Sequence, residues 1–281
     1  MLLLAAIAIP LGLDLYLPVP EENPLTAEKI ELGRRLFFDR RLSRDGSLAC
    51  ASCHDPERAY SDGRSVAVGV SGRIGRRNSP ALINRGYGRL FFWDGRAASL
   101  EEQVLLPIQD SDEMNLSLAE ASARVGLAPG EISHALATFV RSILSGNSRF
   151  DQFVNGDRNA LSAEEQAGLQ LFRGKANCTA CHVGPNFTDE RLHNTGIAWR
   201  DGRFADSGAG HGDFKTPTLR EIARTAPYMH DGSLATLNAV VEYYNRGGNG
   251  NPQLDPELHP LHLSEGEKRN LIQFLRSLST R

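Results

Sequence analysis

All four cysteines of this 281-residue chain lie in two pentapeptides, Cys50-Ala51-Ser52-Cys53-His54 and Cys178-Thr179-Ala180-Cys181-His182. Each has the C-x-x-C-H form of a c-type haem attachment site. In such a site two sulfurs form thioethers to the porphyrin and the adjacent histidine ligates the iron. A zinc knuckle, a redox dithiol or a disulfide can also use C-x-x-C, but none of them needs a histidine directly after the second cysteine. With eight histidines in the chain, chance would put one at both positions about once in a thousand such sequences. Two haems oblige each half of the chain to fold around a large apolar disc, and they make the protein a redox protein.

The two halves repeat a plan. Leu25-Thr26-Ala27-Glu28 recurs as Leu161-Ser162-Ala163-Glu164, each placing a hydroxyl to cap a helix. Ser162 with Glu165, and Ser264 with Glu267, read as capping boxes. Gly-x-x-Leu-Phe follows in both halves, at Gly33, Leu36 and Phe37 and again at Gly168, Leu171 and Phe172, and a haem motif comes next. A periodic helix closes each half, with Ile132, Leu136, Phe139, Val140 and Ile143 on one face and Leu271, Phe274, Leu275 and Leu278 on the other helix's face. The polar run from Ser145 to Asn159 marks the boundary. The expected fold is mostly α, with two cytochrome c-like domains over 18–150 and 151–281, long irregular loops and one covalent haem in each. The Gly- and Pro-rich stretches 61–88 and 185–218 are expected to be loops organised by the haem faces rather than by packed secondary structure.

Net charge is −3, which gives no nucleic-acid footprint, and no stretch has the length and apolarity of a spanning helix. Residues 1–17 read as the remnant of an export leader, with an apolar run from Leu2 to Ile9 and a small-x-small pattern at Ala6-Ile7-Ala8. Covalent haem attachment outside the cytoplasmic membrane agrees with a periplasmic location, and this leader is the one expected membrane contact.

Further segments separate an enzyme from an electron carrier. Arg77-Asn78-Ser79-Pro80, Phe92-Trp93-Asp94-Gly95-Arg96, Glu102-Gln103, Pro107-Ile108, Glu113-Met114 and Thr225-Ala226-Pro227-Tyr228-Met229-His230-Asp231-Gly232 together resemble the bacterial dihaem cytochrome c peroxidase and MauG superfamily, over roughly residues 18 to 280. The resemblance makes the first haem the one that reacts with hydrogen peroxide, with His54 as proximal ligand and Glu113 and Gln103 on its open side. It makes Trp93 an electronic relay between the haems, and Asn78, Thr225 and Pro227 the ligands of a calcium ion, a cation suited to oxygen donors.

Two departures from many family members bear on the chemistry. No histidine occurs between His54 and His134, so the loop Gly69-Val70-Ser71-Gly72-Arg73 cannot supply a removable sixth ligand to the first haem. At the second haem, opposite His182, the position of the usual methionine falls on Tyr244, as in MauG-like members; Met229 is the alternative ligand. A phenolate is hard and anionic and favours oxidised iron, whereas a thioether favours ferrous iron. The MauG-like reading is an enzyme that uses peroxide to reach a high-valent dihaem state and oxidises a Trp or Tyr of a partner protein by long-range electron transfer. Some such enzymes mature a tryptophan-derived cofactor, and others convert a partner tryptophan to kynurenine. The alternative is a peroxidase that reduces peroxide to water with electrons from a small cytochrome c or a cupredoxin; a dihaem carrier without catalysis would need a sixth ligand that the first half does not offer. His134, His193, His211, His259 and His262 match no role and read as surface or structural residues.

Overall fold

A computed structural model describes residues 7–280. The chain divides into two compact units. The first holds residues 15–91 and 97–144; the second holds 145–280 together with Pro10–Asp14 and Phe92–Arg96. The division falls at Leu144/Ser145, ahead of the expected 150/151, and two short segments of the N-terminal half join the second unit.

In the first unit α1 (Ala27–Phe37), α2 (Leu100–Gln103), α3 (Leu106–Gln109), α4 (Leu118–Val125) and α5 (Pro129–Arg141) are joined by irregular chain. Thr26 caps α1 by accepting from Lys29 N. Helix α1 packs on α5 at Gly33, where a Cβ would stand 1.9 Å from the carbonyl oxygen of Ala135. This close approach brings the Phe37 and Phe139 rings to 5.1 Å, tilted by 57°. The predicted apolar face of α5, from Ile132 to Ile143, is buried.

The second unit repeats the arrangement with α6 (Arg149–Val154), α7 (Ala163–Arg173), α8 (Leu237–Asn245) and α9 (Glu265–Arg276). Both predicted capping boxes form: Glu165 accepts from Ser162 N at 2.9 Å and Glu267 from Ser264 N at 2.7 Å. Helix α7 meets α9 at Gly168, where a Cβ would lie 2.0 Å from the carbonyl oxygen of Asn270. The Phe172 and Phe274 rings stand 5.1 Å apart at 58°. Helix α6 carries polar residues but belongs to this core, because Phe150 packs edge-on against Phe187 and Phe274.

The stretch 185–218 is less irregular than expected. It contains β1 (Leu192–His193), β2 (Trp199–Arg200), β3 (Arg203–Phe204) and β4 (Phe214–Lys215). Antiparallel pairing joins β1 to β4, with His193 opposite Phe214, and β2 to β3, with Trp199 opposite Phe204. The protein is otherwise helical with little sheet, and no helix among the described residues is long and apolar enough to cross a membrane.

Residues 1–6 of the expected leader lie outside the described residues. From Pro10 the same segment is built into the second unit: Leu11 O accepts from Asn147 N at 2.7 Å, Gly12 O accepts from Arg220 at 2.7 Å, and Leu13 is buried.

The matched crossings predict matched sensitivity. Gly33→Ala and Gly168→Ala each place a methyl inside a backbone contact that neither helix can relieve without moving. Each is expected to destabilise the protein by on the order of 3 kcal/mol, read as a lowered denaturation midpoint. A wild-type midpoint in both would refute this account of the repeated Gly-x-x-Leu-Phe.

Candidate functional site

The first motif begins as a short 3-10 turn, Cys50–Ser52, in which Cys53 N and His54 N both donate to Cys50 O, at 3.1 and 3.0 Å. His54 Nδ1 lies 3.0 Å from the carbonyl oxygen of Tyr60. A carbonyl can only accept, so Nδ1 carries the proton and Nε2 is the nitrogen able to ligate a metal. Cys50, Cys53 and His54 line a partly open cavity, walled by apolar residues including Phe37, Leu82, Ile108, Leu136 and Val140. Gln103 and Glu113 also face this cavity.

The donor set fits a c-type haem better than its rivals. No cysteine is in a disulfide. Burial pushes the Cys50 thiol up to about 12, with Cys53 adding to it, and the Cys53 thiol up to about 11, with Asp62 adding. Neutral thiols are poor exchange nucleophiles, whereas a thioether sulfur is neutral by construction. Glu113 contributes to both shifts, so its carboxylate acts on the motif across the cavity.

Local structure sets the two polar groups. Gln103 ends α2, whose start is capped by Ser99 Oγ accepting from Glu102 N at 3.1 Å. Glu113 rides a turn that follows α3, closed by Glu113 N to Asp110 O at 3.1 Å and Met114 N to Pro107 O at 3.2 Å. The loop 69–73, which carries no histidine, braces this turn. Val70 N donates to Glu113 O at 2.8 Å, and Arg73 Nη1 donates to Ser111 O at 2.6 Å. Gly69 fits because a Cβ there would meet Asp112 O at 1.9 Å. Sequence reasoning noted what this loop lacks and missed what it does; the two glycines ahead of a single arginine were the available signal.

In the second unit His182 N donates to Cys178 O at 2.9 Å, and His182 Nδ1 lies 2.9 Å from the carbonyl oxygen of Phe187. Burial pushes the Cys178 thiol up to about 12. Tyr244, on α8, has its phenol pushed up by burial, then by Tyr243, Cys181 and Cys178, so it stands in the field of the second motif. Its neighbour Tyr243 is engaged elsewhere, donating to Thr195 O at 2.8 Å. Met229 has a φ of 76° and packs against the unit's apolar core.

Trp93 belongs to the second unit, where its carbonyl accepts from Lys215 N on β4 at 2.7 Å. The residues assigned to calcium belong to both units. Asn78, in the first, is buried and donates through Nδ2 to Arg64 O at 2.6 Å. Thr225 and Pro227, in the second, flank Ala226, and the Ala226–Pro227 peptide is cis. Of the histidines without a predicted role, His193 sits between Asp189 at 2.9 Å and Asp255 at 2.5 Å. Cys181, Asp189 and His193 are close enough to share a metal, but that use competes with the attachment motif for Cys181. His230 is buried and stacks on Phe214 at 3.6 Å.

Comparison with known proteins identifies the family. The family described as di-haem cytochrome c peroxidase matches residues 27–130. The methylamine utilization protein MauG of Methylorubrum extorquens is 42% identical over 285 residues, covering 93% of this chain and 81% of that protein. The cytochrome c551 peroxidase of Pseudomonas aeruginosa is 31% identical over 302 residues, covering 94% and 84%. A solved MauG-like protein associated with microbial copper homeostasis superposes with a TM-score of 0.86 at 33% identity, covering 95% of this chain and 94% of that one. On these matches the chain belongs to the dihaem cytochrome c peroxidase and MauG family of haem-dependent oxidoreductases that act on peroxide.

Proposed function

We propose that this is a MauG-like enzyme, exported to the periplasm, that couples reduction of hydrogen peroxide to the oxidation of a Trp or Tyr side chain on a partner protein. Cys50, Cys53 and His54 would hold one haem, and Cys178, Cys181, His182 and Tyr244 the other. When bound, the haems supply the irons that take oxidising equivalents from peroxide. The chain's own residues do the rest. Gln103 orients peroxide by hydrogen bonding, and the Glu113 carboxylate takes the proton from its nearer oxygen and delivers it to the departing one. The brace from loop 69–73 holds that carboxylate in place through its backbone. Trp93 serves as the relay for charge. Overall, peroxide takes up two electrons and two protons to give two waters, and the partner side chain loses two electrons.

Tyr244 carries the choice of branch. Its buried phenol lies in the field of Cys181 and Cys178. A phenolate ligand suits an iron that stores oxidising equivalents and ill suits one that accepts electrons from a small cytochrome. The second reading, a peroxidase fed by a small cytochrome c or cupredoxin, draws support from relatives such as the cytochrome c551 peroxidase.

Mass spectrometry of candidate periplasmic proteins, incubated with the enzyme and peroxide, separates the two. The proposal expects an enzyme-dependent mass change on one Trp or Tyr. Peroxide consumption that requires a reduced cytochrome or cupredoxin, with every candidate unmodified, would favour the second reading.

A further inference from the structure

Phe187 supplies the carbonyl that takes the Nδ1 proton of His182, and the loop bearing it is held by residues with no part in the scheme above. Arg220 is 1% exposed. Its Nε donates to Pro185 O at 2.8 Å, Nη2 to Gly12 O at 2.7 Å and Nη1 to Asp151 at 2.5 Å. Its guanidinium carbon lies 5.3 Å from the centre of the Phe187 ring. Two residues earlier, Thr218 Oγ1 donates to Asn186 O at 2.6 Å. Pro185, Asn186 and Phe187 are thus each gripped from the segment 218–220.

A buried ion pair is a weak way to gain stability, since well-packed apolar side chains of similar volume often do as well. What a guanidinium offers is a rigid planar fork that satisfies several acceptors at fixed angles. Here the fork joins the loop after the second motif, helix α6 and the segment Pro10–Asp14. Both motif loops also close on their own backbone, the first through Asp55 N to Ser61 O at 2.9 Å and the second through Phe187 N to Gly184 O at 3.1 Å, and the arginine fork is added to the second.

We infer that Arg220 is a positioning residue for the second haem. By fixing the Pro185–Phe187 backbone it sets the His182 Nδ1–H···O=C bond, and through it how strongly the imidazole donates to iron. The inference rests on the proposed reading of His182 as a haem ligand. A firm hydrogen bond to Nδ1–H makes a histidine more basic and stabilises oxidised iron. Loosening the loop therefore raises the potential of the second haem and leaves the first unchanged.

The test uses the full-length, haem-loaded protein. Arg220→Lys keeps a cation beside Asp151 but loses the fork; Thr218→Val removes only the hydroxyl that holds Asn186 O. Both are expected to move the low-spin electron paramagnetic resonance signal of the second haem. Redox titration of Arg220→Lys should shift its reduction equilibrium toward ferrous by roughly tenfold, equivalent to 59 mV for one electron, and Thr218→Val should shift it the same way by less. Leu161→Ala, a truncation elsewhere in the same core, should lower the melting temperature without moving either signal. Wild-type signals and potential in both loop variants, with haem found by mass on the Cys178–Cys181 peptide, would overturn the inference. Absence of haem from that peptide in the wild-type protein would overturn the underlying haem assignment and the inference with it.

Discussion

Replacing Tyr244 with phenylalanine is expected to abolish the low-spin signal of the second haem in its wild-type form and to raise that haem's potential. A phenolate held there would be a hard, anionic ligand, and its removal would take away stabilisation of the oxidised state. The shift should be on the order of hundreds of millivolts, within the roughly 0.8 V that axial ligands span. Burial, and after it Tyr243, Cys181 and Cys178, push the Tyr244 phenol up. Oxidation of a partner protein should fall with the loss of charge storage, while the first haem keeps its signal. An unchanged low-spin signal in Tyr244→Phe would remove tyrosine from the second haem.

Glu113→Gln should leave the ferric spectra close to wild type and slow the reaction with peroxide by roughly 10²–10⁴-fold, the range typical of a positioned acid–base group. The substitution preserves shape, and the backbone brace from Val70 N does not depend on the carboxylate. What it removes is the ability to take and return a proton within the cavity shared with Cys50, Cys53 and His54. Stopped-flow mixing with peroxide reads the step directly, and a wild-type rate would refute the acid–base role.

Much of this architecture is visible in the chain because its signals are local. A hydroxyl three residues before a glutamate and a glycine one turn before a Leu-Phe pair each occupy a few consecutive residues, and the capping boxes and the glycine crossings form as read. The parts that were hidden depend on contacts far apart in sequence. Asp151 lies in a polar run that looks like a linker, yet it pairs with Arg220, 69 residues on, and both are buried. Arg220 also reaches Gly12, 208 residues away, which is why a segment resembling part of a leader is built into the second unit. Phe92–Arg96 likewise joins that unit through a backbone bond from β4 to Trp93. Loop 69–73 illustrates the other limit. Its missing histidine is plain in the sequence, but its support of the Glu113 turn follows from a glycine contact that only the folded chain reveals.

The central claim is that the two haems are unequal, one open to peroxide and the other closed by Tyr244. Electron paramagnetic resonance and absorption spectroscopy of the as-isolated ferric protein test it most directly. The account predicts one high-spin haem, one low-spin haem and no methionine–iron charge-transfer band. Two low-spin haems, or a methionine band that disappears in Met229→Leu, would contradict it.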